Sequence, residues 1–161
     1  LRTYSSSVAR DFTNVQHIEA YIVKNGKAKG MMSLKKVNKV PASTGLLLRG
    51  LINDVTSSET LYDYIPELNG ETDDVTGNLL VANINGEGIE SSRTANNITY
   101  ANYVLQNLSA GIAFYKIASG NVMNISGNKA YLSIPDSELL NLSEEAKPIS
   151  FSFENATSIN I

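Results

Sequence analysis

Residues 17–37 read HIEAYIVKNGKAKGMMSLKKV, and this stretch decides the fold class. Ile18, Ala20 and Ile22 recur at every second position, the period of a strand with one buried face. Asn25-Gly26 breaks the pattern, and Asn-Gly tolerates the positive φ angles that a tight type I′ turn requires. A second apolar run, residues 31–37, follows. The segment predicts a β-hairpin.

The same grammar continues in both directions. Asn-Gly returns at Asn69-Gly70 and Asn85-Gly86, with further turn signals at Gly30, Gly45, Gly50, Gly77, Gly120 and Gly127. Between them lie runs of strand length. Residues 45–49 hold three successive leucines, as a strand buried on both faces would. Residues 60–65 alternate Leu61 and Asp63 against Tyr62 and Tyr64. Residues 78–84 offer Leu80, Ala82 and Ile84; residues 98–106 offer Tyr100, Tyr103, Val104 and Leu105; residues 111–118 offer Ile112 and Phe114. Residues 122–125 and 129–134 read as a hairpin, and residues 149–153 alternate Ile149, Phe151 and Phe153 with serines. About ten short strands so punctuated predict an all-β chain, an antiparallel β-sandwich of jelly-roll-like or Greek-key wiring. The expected core is Ile22, Leu46, Leu48, Leu80, Val104, Ile112, Phe114, Leu132 and Phe151. Helical signals are confined to single turns at residues 10–15 and at residues 135–141, where Asp136 stands as an N-cap.

Composition narrows the functional classes. The 161 residues fit one domain, 1–161, and a chain this size buries about 70% of its unfolded surface without staples. With 42% hydrophobic and 18% charged residues, it is not a highly charged disordered chain. There is no cysteine, which removes disulfides, thiolate metal sites and cysteine nucleophiles. His17 is the one histidine, which removes multi-histidine metal sites. No apolar run approaches the roughly 18–20 residues of a membrane span, so this segment is expected not to insert in a membrane. The sequence opens at Leu1 without a basic segment and apolar run; it reads as a mature or trimmed fragment.

Charge is segregated. Residues 1–49 hold nine Lys or Arg and two Asp or Glu, and residues 50–161 hold four and fourteen. These balances, +7 and −10, sum to the net −3. Lys24, Lys27, Lys29, Lys35, Lys36 and Lys39 form a basic patch on the predicted hairpin. Edge lysines discourage strand pairing with other chains, and they also suit an acidic partner. The acidic total and the lack of aromatics among these lysines argue against nucleic acid.

Catalytic signals are poor. His17 has no Gly-x-Ser-x-Gly elbow to serve, and it reads as a structural or surface side chain. No Walker loop or Gly-x-Gly-x-x-Gly appears. No two carboxylates can be set across a cleft from sequence, as a glycosidase needs; the expectation is no enzyme and no cofactor. Residues 67–77 are the most polar stretch. There Glu71, Asp73 and Asp74 supply oxygen ligands of the kind calcium takes, although the spacing departs from a calcium loop and an ordinary acidic loop is the plainer reading. Tyr62, Tyr64, Tyr100 and Tyr103 are the aromatics that could show a face to a sugar, against the plainer reading of packed rings with solvated hydroxyls. Asn-x-Ser/Thr occurs at Asn97, Asn107, Asn124, Asn141 and Asn155, which reflects an Asn- and Ser-rich composition.

An ordered set of short motifs runs nearly the length of the chain. It starts at Tyr4, Asp11-Phe12 and Ala20-Tyr21-Ile22, and is strongest at Val40-Pro41-Ala42-Ser43-Thr44-Gly45-Leu46-Leu47-Leu48-Arg49-Gly50. It continues at Tyr64-Ile65-Pro66, Gly77-Asn78-Leu79-Leu80, Tyr103-Val104-Leu105, Ala113-Phe114-Tyr115-Lys116, Lys129-Ala130-Tyr131-Leu132 and Phe151-Ser152-Phe153. In this the chain resembles a β-rich module found near the C-termini of secreted and surface proteins of Bacteroidetes. Such modules often follow leucine-rich-repeat or other extracellular domains and are described as adhesion proteins. Residues 51–60 depart from the family, which has a short Gly-Thr-x-Gly link there. The resemblance implies a non-catalytic extracellular or cell-surface module, serving cell adhesion or as a structural end-domain. Its implied partners are other domains of the parent protein, a host or surface protein, or a glycan. The alternative is a carbohydrate-binding module, calcium-dependent through the acidic loop. Self-assembly by charge or strand exchange is a third reading.

Overall fold

A computed structural model describes residues 1–51, 64–140, 147–153 and 159–160. Among these residues the chain is all-β, with antiparallel sheets and no α-helix. The strands in the first part are β1 (Arg2–Tyr4), β2 (Arg10–Asp11), β3 (Ile18–Asn25), β4 (Met31–Val37), β5 (Lys39–Val40) and β6 (Leu46–Gly50). Then come β7 (Leu80–Asn83), β8 (Gly88–Glu90), β9 (Ser92–Ala95), β10 (Ile98–Leu108) and β11 (Gly111–Lys116). The last are β12 (Val122–Asn124), β13 (Lys129–Pro135) and β14 (Ile159–Asn160). Among the described residues there are fourteen strands, several of only two or three residues, where about ten were expected.

The first sheet runs β1-β6-β3-β4-β14 and the second β11-β10-β13-β7, with β9 also paired to β10. Two short pairs, β2 with β5 and β8 with β12, stand apart. Strand alternation divides the first sheet into two buried faces. Tyr21, Val23, Met32, Leu34 and Leu47 join Leu80, Tyr103, Phe114, Leu132 and Ile134 of the second sheet in one core. Ala20, Ile22, Val37, Leu46 and Leu48 point the other way, into a second cluster closed by Phe12, Val40 and the half-buried Ile65 and Val75. The triple leucine is therefore buried on both faces, as its sequence requires. A third cluster, Ile89, Val104 and Ile117, lies under the β8–β12 pair on the far side of the second sheet.

Several expectations are corrected. The hairpin of β3 and β4 forms, but Asn25-Gly26 is no type I′ turn. Gly26 N–H instead reaches Met31 O at 2.7 Å and the positive φ falls on Gly30. The type I′ pattern belongs to Asn96-Asn97, φ 51° and 64°, which join β9 to β10 in two residues. β12 does not pair with β13: it pairs with β8, while β13 lies between β10 and β7. Ile112 is 47% exposed, since the β10–β11 ribbon runs past the end of the core, with Leu108 exposed beside it. Phe151 is only half-buried, its ring edge-on to Phe114. The turn at Asp136–Glu138 is 3-10, and its N-cap is Pro135, not Asp136. Residues 10–15 open as β2 rather than as a helical turn. The predicted strand at residues 60–65 falls mostly outside the described residues, and Tyr64 and Ile65 lie in no strand.

Gly45 is needed for space rather than bending. A Cβ there would lie 2.7 Å from the backbone carbon of Leu80, where the start of β6 passes β7, whereas a Cβ on Gly50 would meet nothing within 4 Å. Gly45→Ala is expected to cost about 1–3 kcal/mol through overpacking, with Gly50→Ala within about 0.5 kcal/mol of wild type. Urea unfolding of both variants checks this; equal midpoints would show that β6 and β7 do not meet in this way.

Candidate functional site

β10 exceeds its neighbours in length, and its partner along one edge changes midway. β9 pairs with residues 98–101 and β11 with residues 103–108. Asn102, at the changeover, is buried, and its Nδ2 donates to Glu90 O at 3.0 Å. Its Oδ1 accepts from Ser133 Oγ at 2.7 Å, and Ser133 Oγ accepts from Arg93 Nε at 2.7 Å. Arg93 lies opposite Tyr100 in register, with its guanidinium 4.1 Å from the Tyr100 ring centre. The buried Asn102–Ser133 pair thus fixes Arg93 by one nitrogen while the ring supports one face of the fork, a geometry favourable to a cation. Among the described residues Arg93 forms no salt bridge.

Beside this group opens a cleft of about 240 Å³, lined by Arg93, Tyr131, Glu87, Glu90, Asn83 and Asn102 among others. Its rim is preset. Asn83 Nδ2 donates to Glu87 O and Asn83 Oδ1 accepts from Glu87 N–H, both at 3.0 Å. Burial raises the Tyr131 hydroxyl above its ordinary value, with Arg93 pulling it down and Glu87 pushing it up. A larger groove of about 380 Å³ runs along residues 1–3 and Asn124, Ser126 and Lys129, but no aromatic ring lines it.

The four predicted tyrosines do not make one platform. Tyr62 lies outside the described residues. Tyr64 is 80% exposed, next to Ile65, whose carbonyl accepts from Arg10 Nη1. Tyr100 is half-buried under Arg93. Tyr103 is fully buried and cannot present a face to a ligand. Three residues along a strand from Tyr100, it points to the opposite side, into the core. Burial pushes its hydroxyl up to about 12, and that hydroxyl has no hydrogen-bond partner among the described residues.

The acidic loop and the basic patch meet each other. Asp73 Oδ2 accepts from the backbone N–H groups of Asn38 and Lys39 at 2.7 and 3.1 Å, and Asp73 N–H returns to Lys39 O. Asp74 Oδ1 accepts from Thr76 N–H, and its carbonyl accepts from Lys35 Nζ at 2.6 Å. Donors and cations surround these carboxylates, the reverse of a calcium cage. No group of three metal-ligating side chains, Glu71 included, is assembled among the described residues. The lysines are dispersed. Lys24 and Lys35 act on Asp74, Lys36 pairs with Glu19 at 3.1 Å, Lys39 faces Asp11 and Asp73, and Lys27 and Lys29 are exposed in the β3–β4 loop. His17 takes φ 69°, and its carbonyl accepts from Leu51 N–H.

Sequence reasoning missed Arg93, Asn102, Ser133, Glu87, Glu90 and Tyr131. One signal was available: Arg93 is the sole basic residue between Arg49 and Lys116. Comparison of the chain with protein families, curated proteins and solved structures gives no match.

Tyr103→Phe removes the orphaned buried hydroxyl and keeps the ring, so it is expected to stabilise the chain by about 1 kcal/mol. A loss of that size in urea unfolding would mean the hydroxyl has a partner. The Asp73 carboxyl is held below its ordinary 3.8, first by the N–H groups of Asn38 and Lys39 and then by Lys35 and Lys39. Its stabilising effect is complete above 3.8 and fades as pH falls through the lower native value. Hydrogen-exchange protection at Asn38 and Lys39 is expected to drop on acidification in wild type. In Asp73→Asn it should be lower at neutral pH and change less with acid. Identical profiles would contradict the assignment.

Proposed function

We propose that this chain is a non-catalytic module of an extracellular bacterial surface protein, acting in adhesion or as a structural end-domain. On this reading the two sheets and their covers form a β-sandwich of jelly-roll-like or Greek-key wiring. The observation that carries it is the binding of β1 to both sheets. Backbone pairing holds Arg2, Thr3 and Tyr4 to Leu48, Leu47 and Leu46 of the first sheet. Toward the second sheet, Thr3 Oγ1 accepts from Ala130 N–H, Ser5 Oγ donates to Lys129 O, and Asn128 Nδ2 donates to Ser5 O. Tension on the N-terminal end therefore loads both sheets together, which suits a part that transmits force between a surface and a partner.

A second reading, carbohydrate binding, is favoured by the Arg93–Tyr131 cleft. It needs no calcium at the acidic loop, where one carboxylate oxygen each of Asp73 and Asp74 already accepts from backbone N–H groups.

Beads coated with the chain are expected to be retained on epithelial or bacterial cell surfaces more than albumin-coated beads, equally with calcium or chelator. No turnover of glycoside, ester or peptide substrates should survive repurification. Reproducible turnover would overturn the module reading, and chelator-sensitive retention would overturn its calcium independence.

A further inference from the structure

The cleft beside Arg93 sets unlike polar groups and an aromatic ring around a common space. Arg93 is the only cation among its lining residues, and Glu87 and Glu90 stand with it. The local balance is one positive against two negative charges, which repels a free anion. Arg93 is nevertheless oriented: Nε is held by Ser133 and the fork is backed by Tyr100. Ser133 and Asn102, which do the holding, are both buried. Arg93, Glu87 and Tyr131 line this one cleft, so a cation, a carboxylate and an aromatic ring border the same space. A ligand matching this set offers adjacent acceptors to the guanidinium, donors to a carboxylate and an apolar face to a tyrosine. Vicinal hydroxyls on a pyranose meet all three requirements. The volume, about 240 Å³, lies below the roughly 300–1,000 Å³ of pockets for drug-sized ligands and suits one ring rather than a chain.

We propose that the cleft formed by β8, the loop at Glu87, Arg93 and Tyr131 binds a single neutral sugar ring. Arg93 donates to adjacent hydroxyls and Glu87 accepts from another. The proposal deepens the carbohydrate reading above and rests on it.

The test is titration of the isotope-labelled full chain with glucose, galactose, mannose and N-acetylglucosamine, followed by amide NMR. With at least one sugar, the amides of Gly88, Ser92 and Arg93 and the Asn102 side-chain amide are expected to shift together along one saturating curve. Arg93→Lys keeps the charge and loses the fork, and should weaken that binding about tenfold or more. Should Arg93→Lys fail to fold, Glu87→Gln, at an exposed position, removes one acceptor charge and should weaken binding in the same direction. Absence of a saturable shift with all four sugars, or a shift that neither variant changes, overturns the proposal. So does a response to sodium sulfate alone, which would make the cleft an anion site. If the cleft fails while coated beads are still retained on cells, the sugar site falls and the adhesive module stands.

Discussion

Three consecutive leucines in a strand cannot be dried by one neighbouring layer. Alternation sends Leu47 to one side of the first sheet and Leu46 and Leu48 to the other. Each fully buried leucine contributes about 1.5–3 kcal/mol only if its own side is covered. The second sheet covers Leu47. Among the described residues the opposite side is closed by no sheet of comparable size, but by β2, β5 and the stretch carrying Ile65 and Val75. That stretch is polar and acidic, so it is held down by hydrogen bonds and charge rather than by apolar area. Asp73 on the Asn38–Lys39 backbone and Lys35 on the Asp74 carbonyl supply the hold.

Short polar side chains join the layers elsewhere too. Asn78 Oδ1 accepts from the N–H groups of Val23 and Leu80, and its Nδ2 donates to Gly45 O. One amide thereby links β3, the start of β6 and the start of β7. Asn102 does the same among β10, β13 and the residue ending β8. Such amides satisfy backbone groups that no neighbouring strand can reach, which would otherwise be costly to bury. Asn78, Asn102 and Ser133 are thus joints between small sheets, and Arg93 extends one of them toward the cleft.

Much of the fold was legible along the chain. The β3–β4 hairpin, the double-sided burial at Leu46–Leu48 and the inward Phe114 and Leu132 all follow from apolar spacing. The misreadings share a cause. Ile112 satisfies the alternation but sits where the ribbon outruns the core. Tyr103 resembles Tyr100 in type, yet three strand positions place them on opposite faces, one in the core and one under Arg93. Nearness in sequence suggested β12 against β13, but β12 is needed over Val104 and Ile117, where it pairs with β8.

The amino-acid sequence by itself determined the all-β class, the central strand and the segregation of charge, because period, turn residues and charge are local quantities. It did not determine that the acidic loop would dock against the basic hairpin. That contact joins Asn38 and Lys39 to Asp73 across a chain separation no local rule spans. Nor did it locate the cleft, whose members Glu87, Arg93, Asn102 and Tyr131 come from separate segments. Tertiary structure decided these, since only packing the covers onto both faces of two sheets fixes which distant polar groups meet and which are left facing water.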